Sequence, residues 1–102
     1  MITKVSEIKI EDLKSYLRLT DIDKTEENYL KTIINSSISY VRNYTGLTDE
    51  ELDKYSDIVA VIFILCQDLY DNRSLYVDKN NINKVVESIL SLHSCNLLVK
   101  ND

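Results

Sequence analysis

The one histidine of the chain, His93, stands two residues before Cys95, one of its two cysteines. A Cys-His or Ser-His-Asp mechanism would have to run through this histidine, because imidazole is the base that such chemistry uses near neutral pH. Adjacency along the chain does not supply that geometry, and no third group is placed by spacing to orient the ring. The ordinary role of a histidine near a helix C-terminus is electrostatic, since a cation is favoured at the negative end of the helix dipole. His93 and Cys95 are too few ligands for zinc. Cys66 and Cys95 make neither a CxxC pair nor a disulfide framework, and read as reduced thiols of a cytoplasmic protein. The expectation is no catalytic residue, no cofactor and no metal, and therefore not an enzyme.

Acids outnumber bases, with 17 Asp and Glu against 12 Lys and Arg, for a net charge of −5. Asp49, Glu50, Glu51 and Asp53 crowd one stretch, but their spacing forces no acid–base pair, so they read as solvated surface. A single glycine, Gly46, cannot build a phosphate-cradling loop. The cations are interleaved with acids, as in KIEDLKSYLR and DKTEENYLK, so a phosphate-neutralising patch is missing and a duplex-binding module is not expected. Seven tyrosines are many for this length. Tyrosine suits the rim of a core or an interface, where the ring is buried and the hydroxyl stays wet. One of them opens the motif Tyr70-x-Asn72-Arg73, which closes an apolar segment beginning with IVAVIFILC over 58–66.

Helices must carry these groups. The chain of 102 residues is expected to be one domain over 1–102, and 44% apolar with 28% charged residues is a globular composition. With no proline and one glycine, the many tight turns of an all-β meander are hard to make. The apolar run over 58–66 is far shorter than the ~20 residues that cross a bilayer, and Asp57 and Asp68 flank it, so no membrane partner is expected. The opening MITKVSEIKIEDLK lacks the apolar core of a signal peptide.

The opening residues to Lys9 read as an irregular or extended lead-in. Ile10, Leu13, Tyr16 and Leu17 predict a short helix over 10–18. Asp23 and Glu26 have capping-box spacing. The second helix carries Leu30, Ile33, Ile34, Ser37, Ile38, Val41 and Tyr44 on one face and stops at Gly46, the residue that takes a left-handed cap most cheaply. Thr48 and Glu51 form a second capping box ahead of a helical turn over 49–54.

The run from 58 is rich in β-branched residues, which favours a strand. It nevertheless continues through Leu65, Leu69 and Tyr70 without a breaker, and that length predicts a helix. A helix apolar on all sides must be covered on all sides. Helix two and the last helix would supply two flanks, and another subunit the remainder. Asn72 is placed to bond the last carbonyls and Arg73 to face the dipole. A loop SLYVDKNN follows, with Asn81 as cap of a final helix carrying Ile82, Val85, Val86, Ile89, Leu90 and His93. The tail NLLVKND reads as extended or frayed. The predicted fold is all-α, a small bundle of about four to five helices around a buried central helix.

Three stretches, in order, carry a resemblance. IKIEDLKSYLRLTDIDKTEENYLKTII gives a short helix, an acidic loop and a long helix. SYVRNYTG, with Tyr44 and Gly46, gives an aromatic-rich end before Thr-Gly. ILCQDLYDNR gives an apolar helix ending in Tyr70-x-Asn72-Arg73. Together, over about residues 2–92, these resemble the small helical head–tail connector proteins of tailed bacteriophages, a family also associated with DNA packaging.

The resemblance implies a structural part of the virion at the head–tail junction, present in the host cytoplasm during assembly. It implies a ring of copies beneath the portal protein. That ring lengthens the channel through which DNA passes without sequence-specific binding, and it readies the head for a stopper or tail-completion protein. Contacts are then expected at the loop residues Ser74, Leu75, Tyr76 and Val77 and at the tail residues Leu97, Leu98, Val99 and Lys100, with the tail toward the portal. The alternative is a small acidic helical regulator or partner-binding module. A helix-turn-helix protein would need a basic recognition helix, whereas NINKVVESILSLH has one lysine and one glutamate. An acyl carrier would need a serine in an Asp-Ser-Leu setting at a helix start, and the serines of INSSIS lie inside helix two.

Overall fold

The computed structural model describes residues 4–78 and 81–94 of the chain. Its described residues form five helices and no strand: α1 (Ile10–Leu17), α2 (Lys24–Thr45), α3 (Asp49–Leu52), α4 (Ser56–Asp71) and α5 (Lys84–Leu92). This is a small all-α bundle. The lead-in is not extended throughout, because Val5–Glu7 makes one turn of 3-10 helix that buries Val5. Ser6 fixes that turn by donating its N–H and hydroxyl to the two oxygens of Asp53, at 3.0 and 2.7 Å.

Local chemistry sets most helix ends. Asp12 accepts the N–H of Lys9 at 2.8 Å and so caps α1, which closes on Arg18 with φ 61. Asp23 caps α2 by accepting the N–H of Glu26 at 2.8 Å. At the far end Gly46, with φ 73, turns the chain out of α2 while its N–H bonds the Arg42 carbonyl at 2.9 Å. Glycine takes this left-handed conformation without the Cβ penalty other residues meet. Thr48 and Glu51 exchange side chain-to-backbone bonds at 3.2 and 2.9 Å, a complete capping box for α3.

The last helix starts later than its sequence suggests. Asn83, not Asn81, is the cap, and its side-chain oxygen accepts from Val85 at 2.7 Å and Val86 at 3.4 Å. Asn81 bonds back to Asp78 instead. Ile82 therefore lies outside the helix, packed against the core.

The core is built on α2 and α4. Tyr29 meets Leu69, and Ile33 and Ser37 meet Cys66, so the two helices run antiparallel. Leu30, Ile33 and Val41 of α2 and Ile58, Val61 and Ile62 of α4 are wholly buried. The Cys66 thiol lies 3.7 Å from the Ile33 carbonyl and 3.5 Å from the Ser37 hydroxyl, and burial pushes its pKa up to about 11. It is therefore protonated at neutral pH and inert.

α4 is enclosed from three sides by its own chain. Cys66 faces α2, Phe63 stacks on Tyr16 of α1 at 5.1 Å, and Asp57 meets His93 of α5 at 2.9 Å. Helical periodicity leaves one strip between the α1 and α5 flanks, made of Ser56, Ala60, Ile64, Gln67 and Asp71. Ala60 and Gln67 are exposed and Ile64 half-buried. The apolar run thus needs far less outside cover than its composition suggests, because α1 supplies a third wall and the remaining strip is narrow.

Candidate functional site

The Tyr70-x-Asn72-Arg73 sequence lies where the end of α4 meets the first turn of α2. Glu26 and Asp23 make only half of the capping box that their spacing suggests. Asp23 accepts the Glu26 N–H, but the Glu26 carboxylate turns away from the helix end toward α4. Its two oxygens receive the Arg73 guanidinium at 2.8 and 2.9 Å, and one of them also accepts the Tyr70 hydroxyl at 3.0 Å. A bidentate, charge-assisted pair is a better partner for a carboxylate than one backbone amide, so the tertiary contact wins over the local cap.

Arg73 lies past the last turn, and its guanidinium is taken up by Glu26. α4 ends at Asp71, and Arg73 lies beyond it with φ 50, a left-handed conformation disfavoured for any residue with a Cβ. Its guanidinium lies over two rings, 4.6 Å from the centroid of Tyr70 and 5.1 Å from that of Tyr29. Tyr29 completes the clasp. Its hydroxyl lies 2.9 Å from both the Leu69 and Ser74 carbonyls, so one proton is shared between the end of α4 and the start of the loop. Asn72 donates to the Asp68 carbonyl at 2.8 Å, satisfying one of the open acceptors of the helix end.

The clasp has the electrostatics of a tie and not of a catalyst. The hydrogen bonds from Arg73 hold the Glu26 carboxyl below the usual glutamate range, burial opposes this, and the Tyr70 hydroxyl adds to the lowering. Burial raises the phenols of Tyr29 and Tyr70. Glu26 is ionised, engaged on both oxygens and only 21% exposed at its side chain, so it is no free base. A carboxyl whose folded pKa is depressed stabilises the fold above its unfolded pKa and loses that contribution as pH falls through the folded value. Glu26→Gln is therefore expected to lower the melting temperature at neutral pH, with the gap to the parent closing once pH drops through the folded carboxyl pKa. Thermal melts of both proteins over that range check this, and a gap that is constant down to strong acid would exclude Glu26 as a charged partner.

The clasp fixes the root of the following loop. The Ser74 N–H bonds the Leu69 carbonyl at 2.9 Å, and just past it Leu75 is 46% and Tyr76 78% exposed, while Val77 is half-buried. Beside the loop, a groove of about 720 Å³ runs along the polar face of α2, lined by residues including Asn35, Ser39, Tyr40, Tyr44 and Tyr76. Tyr44 is half-buried, with its hydroxyl 3.1 Å from that of Ser91 in α5. Gly46 lies at the opposite end of α2 from the clasp. The tail residues Leu97, Leu98, Val99 and Lys100, and Cys95, lie outside the described residues.

The other chemistry-bearing side chains have structural partners. His93 follows α5 as its C-cap, 2.9 Å from the Asp57 carboxylate and tilted against the Tyr55 ring with centroids 4.2 Å apart. It joins the end of α5 to the start of α4, an ion pair when the imidazole carries its second proton. The acids over 49–53 are less free than a solvated surface would make them. Asp49 pairs with Arg42 at 2.9 Å, Glu51 caps α3, and Asp53 holds Ser6. Spacing alone located the Glu51 contact, but Glu26–Arg73 and Asp57–His93 join distant positions with no local signal. Among the described residues no cluster of three or more His, Cys, Asp or Glu side chains could hold a metal, and no helix is long and apolar enough to cross a membrane. Comparison of the chain with protein-family models, curated proteins and solved structures gave no match.

Proposed function

We propose that this chain is a structural head–tail connector of a tailed bacteriophage or prophage. Copies of it form a closed ring below the portal protein, extend the DNA channel, and complete the head for a stopper or tail-completion protein. One observation carries the reading: two of the stretches that resemble the connector family close onto each other through Glu26 and Arg73, 47 positions apart. The motif residues thereby set the direction in which the loop leaves α4, and the loop carries the exposed Leu75 and Tyr76. A shared motif whose work is to aim an apolar loop outward suits a protein that acts by contact with other chains. The net charge of −5 suits a conduit as well, since a cationic wall would hold phosphates instead of letting them pass.

The test is electron microscopy of heads from a phage lacking this protein, beside the complemented control. The expected result is a ring beneath the portal in the complemented heads only; a ring in both removes the connector reading. The groove of about 720 Å³ beside α2, with its tyrosines, supports a second reading as a small acidic partner-binding module. That reading takes precedence if the ring survives deletion and the chain binds a peptide along this groove.

A further inference from the structure

We infer that the apolar trough between α1 and α4 is the acceptor of a self-contact, filled by the Leu75–Tyr76 tip of a second copy of this chain. The inference rests on the ring reading and names the two surfaces that meet. The trough, about 490 Å³, is lined by Tyr16, Val59, Ala60, Phe63 and Ile64, with Asp12, Ser15 and Ser56 at its edge. Tyr16 is 43% exposed over the half-buried Phe63, so the stacked pair presents an open aromatic surface. Asp12 is the one charged side chain in the lining, and its carboxylate already accepts the Lys9 N–H at 2.8 Å. The trough is otherwise neutral.

The occupant follows from charge. Copies that each carry −5, with 28% charged residues, repel across most of their surfaces. Close approach is least opposed where both sides carry few charges. The run Ser74-Leu75-Tyr76-Val77 contains no charge and projects two large apolar side chains, and the trough is a concave, mainly apolar counterpart on the same chain with Asp12 as its one charge. A basic partner would be drawn to the acidic surface and not to this neutral hollow. Tyrosine is also among the residue types that anchor contacts, by filling a pocket and stacking edge or face on other rings.

The placement suits repetition. Tyr76 borders the groove along α2, whereas the trough opens beside the strip of α4 turned away from α2. Two different patches meeting between copies make a head-to-tail contact, which closes into a ring when the rotation allows.

Disulfide trapping tests the contact directly. In a Cys95→Ser background one preparation carries Ala60→Cys and the other Ser74→Cys, which keeps Leu75 and Tyr76; position 60 is exposed, position 74 half-buried, and native Cys66 is buried and protonated. Mixed at high concentration and oxidised, they are expected to give the disulfide between positions 60 and 74 in at least about tenfold excess over either homotypic dimer, a difference of about 1.4 kcal/mol. Homotypic dimers in equal yield, or no cross-link, overturn the proposal.

Ser15→Glu, added to the Ala60→Cys chain, places a charge in the lining on an exposed helix site and should abolish trapping by Ser74→Cys chains without moving the melting temperature. Heads that keep their ring with Ser15→Glu would overturn the trough as acceptor and leave the connector reading standing. Trapping that succeeds while the ring survives deletion would do the reverse.

Discussion

Ile62→Asp is expected to leave the chain unfolded at room temperature. Ile62 is fully buried in α4, and its helix neighbours on the buried side are Ile58, Leu65, Cys66 and Leu69. The polar groups nearest along that face are a protonated thiol and the Ser37 hydroxyl it meets, and neither is a cation. An aspartate there must remain as an unpaired buried charge, at a cost of several kcal/mol, or take up a proton at a comparable cost through its shifted pKa. The lost burial of the isoleucine side chain adds about 1.5–3 kcal/mol. The sum matches much or all of the ~5–15 kcal/mol that holds a domain of this kind together. Leu65→Asp should behave alike, since Leu65 is 2% exposed on the same face. Gln67→Asp is the control: it places the same charge on the exposed strip of the same helix and should change stability by about 0.5 kcal/mol or less. Circular dichroism and urea titration read all three. A parent-like melt for Ile62→Asp would mean that α4 is not the spine of the bundle.

The bundle was legible in the sequence wherever the deciding chemistry is local. The apolar face of α2, the Gly46 stop and the Thr48–Glu51 box depend on residues within a turn of each other, and each is where its spacing puts it. α4 was legible by length, since its β-branched run alone fits a strand equally well. The start of α5 was not, because Asn81 and Asn83 both offer a carboxamide ahead of the same periodic run. The need to pack Ile82 into the core decides between them, and that is a tertiary demand. The clasp was hidden for a related reason. Glu26 fits a capping box by spacing and Arg73 fits a dipole partner by position, yet each prefers the other. Only the antiparallel pairing of α2 and α4 brings them within reach. Likewise the apolar surround of α4 pointed to an outside subunit, when the flank at Phe63 belongs to α1.

Leu13→Ala should detach α1 while the rest of the bundle persists. α1 has 8 residues, and Leu13 is the only one of them that is buried. A helix so short does not hold itself together in water, so its existence depends on packing. Ile10, Leu17 and the stacked Tyr16 add half-buried contacts, and none of them reaches the interior. Truncating a fully buried leucine costs about 2–5 kcal/mol, and the upper part of that range holds where the site cannot collapse onto the gap. The site here can relax in another way, by letting the peripheral helix lift off, so the loss should be local before it is global. Hydrogen exchange is then expected to show α1 amides losing nearly all protection, with those of α2 and α4 slowed less than in the parent but still strongly protected. The trough would lose one wall, and trapping between positions 60 and 74 should fall although neither position has changed. If α1 amides stayed as protected as in the parent, Leu13 would not be what fastens the helix, and the aromatic stack of Tyr16 on Phe63 would have to carry it instead.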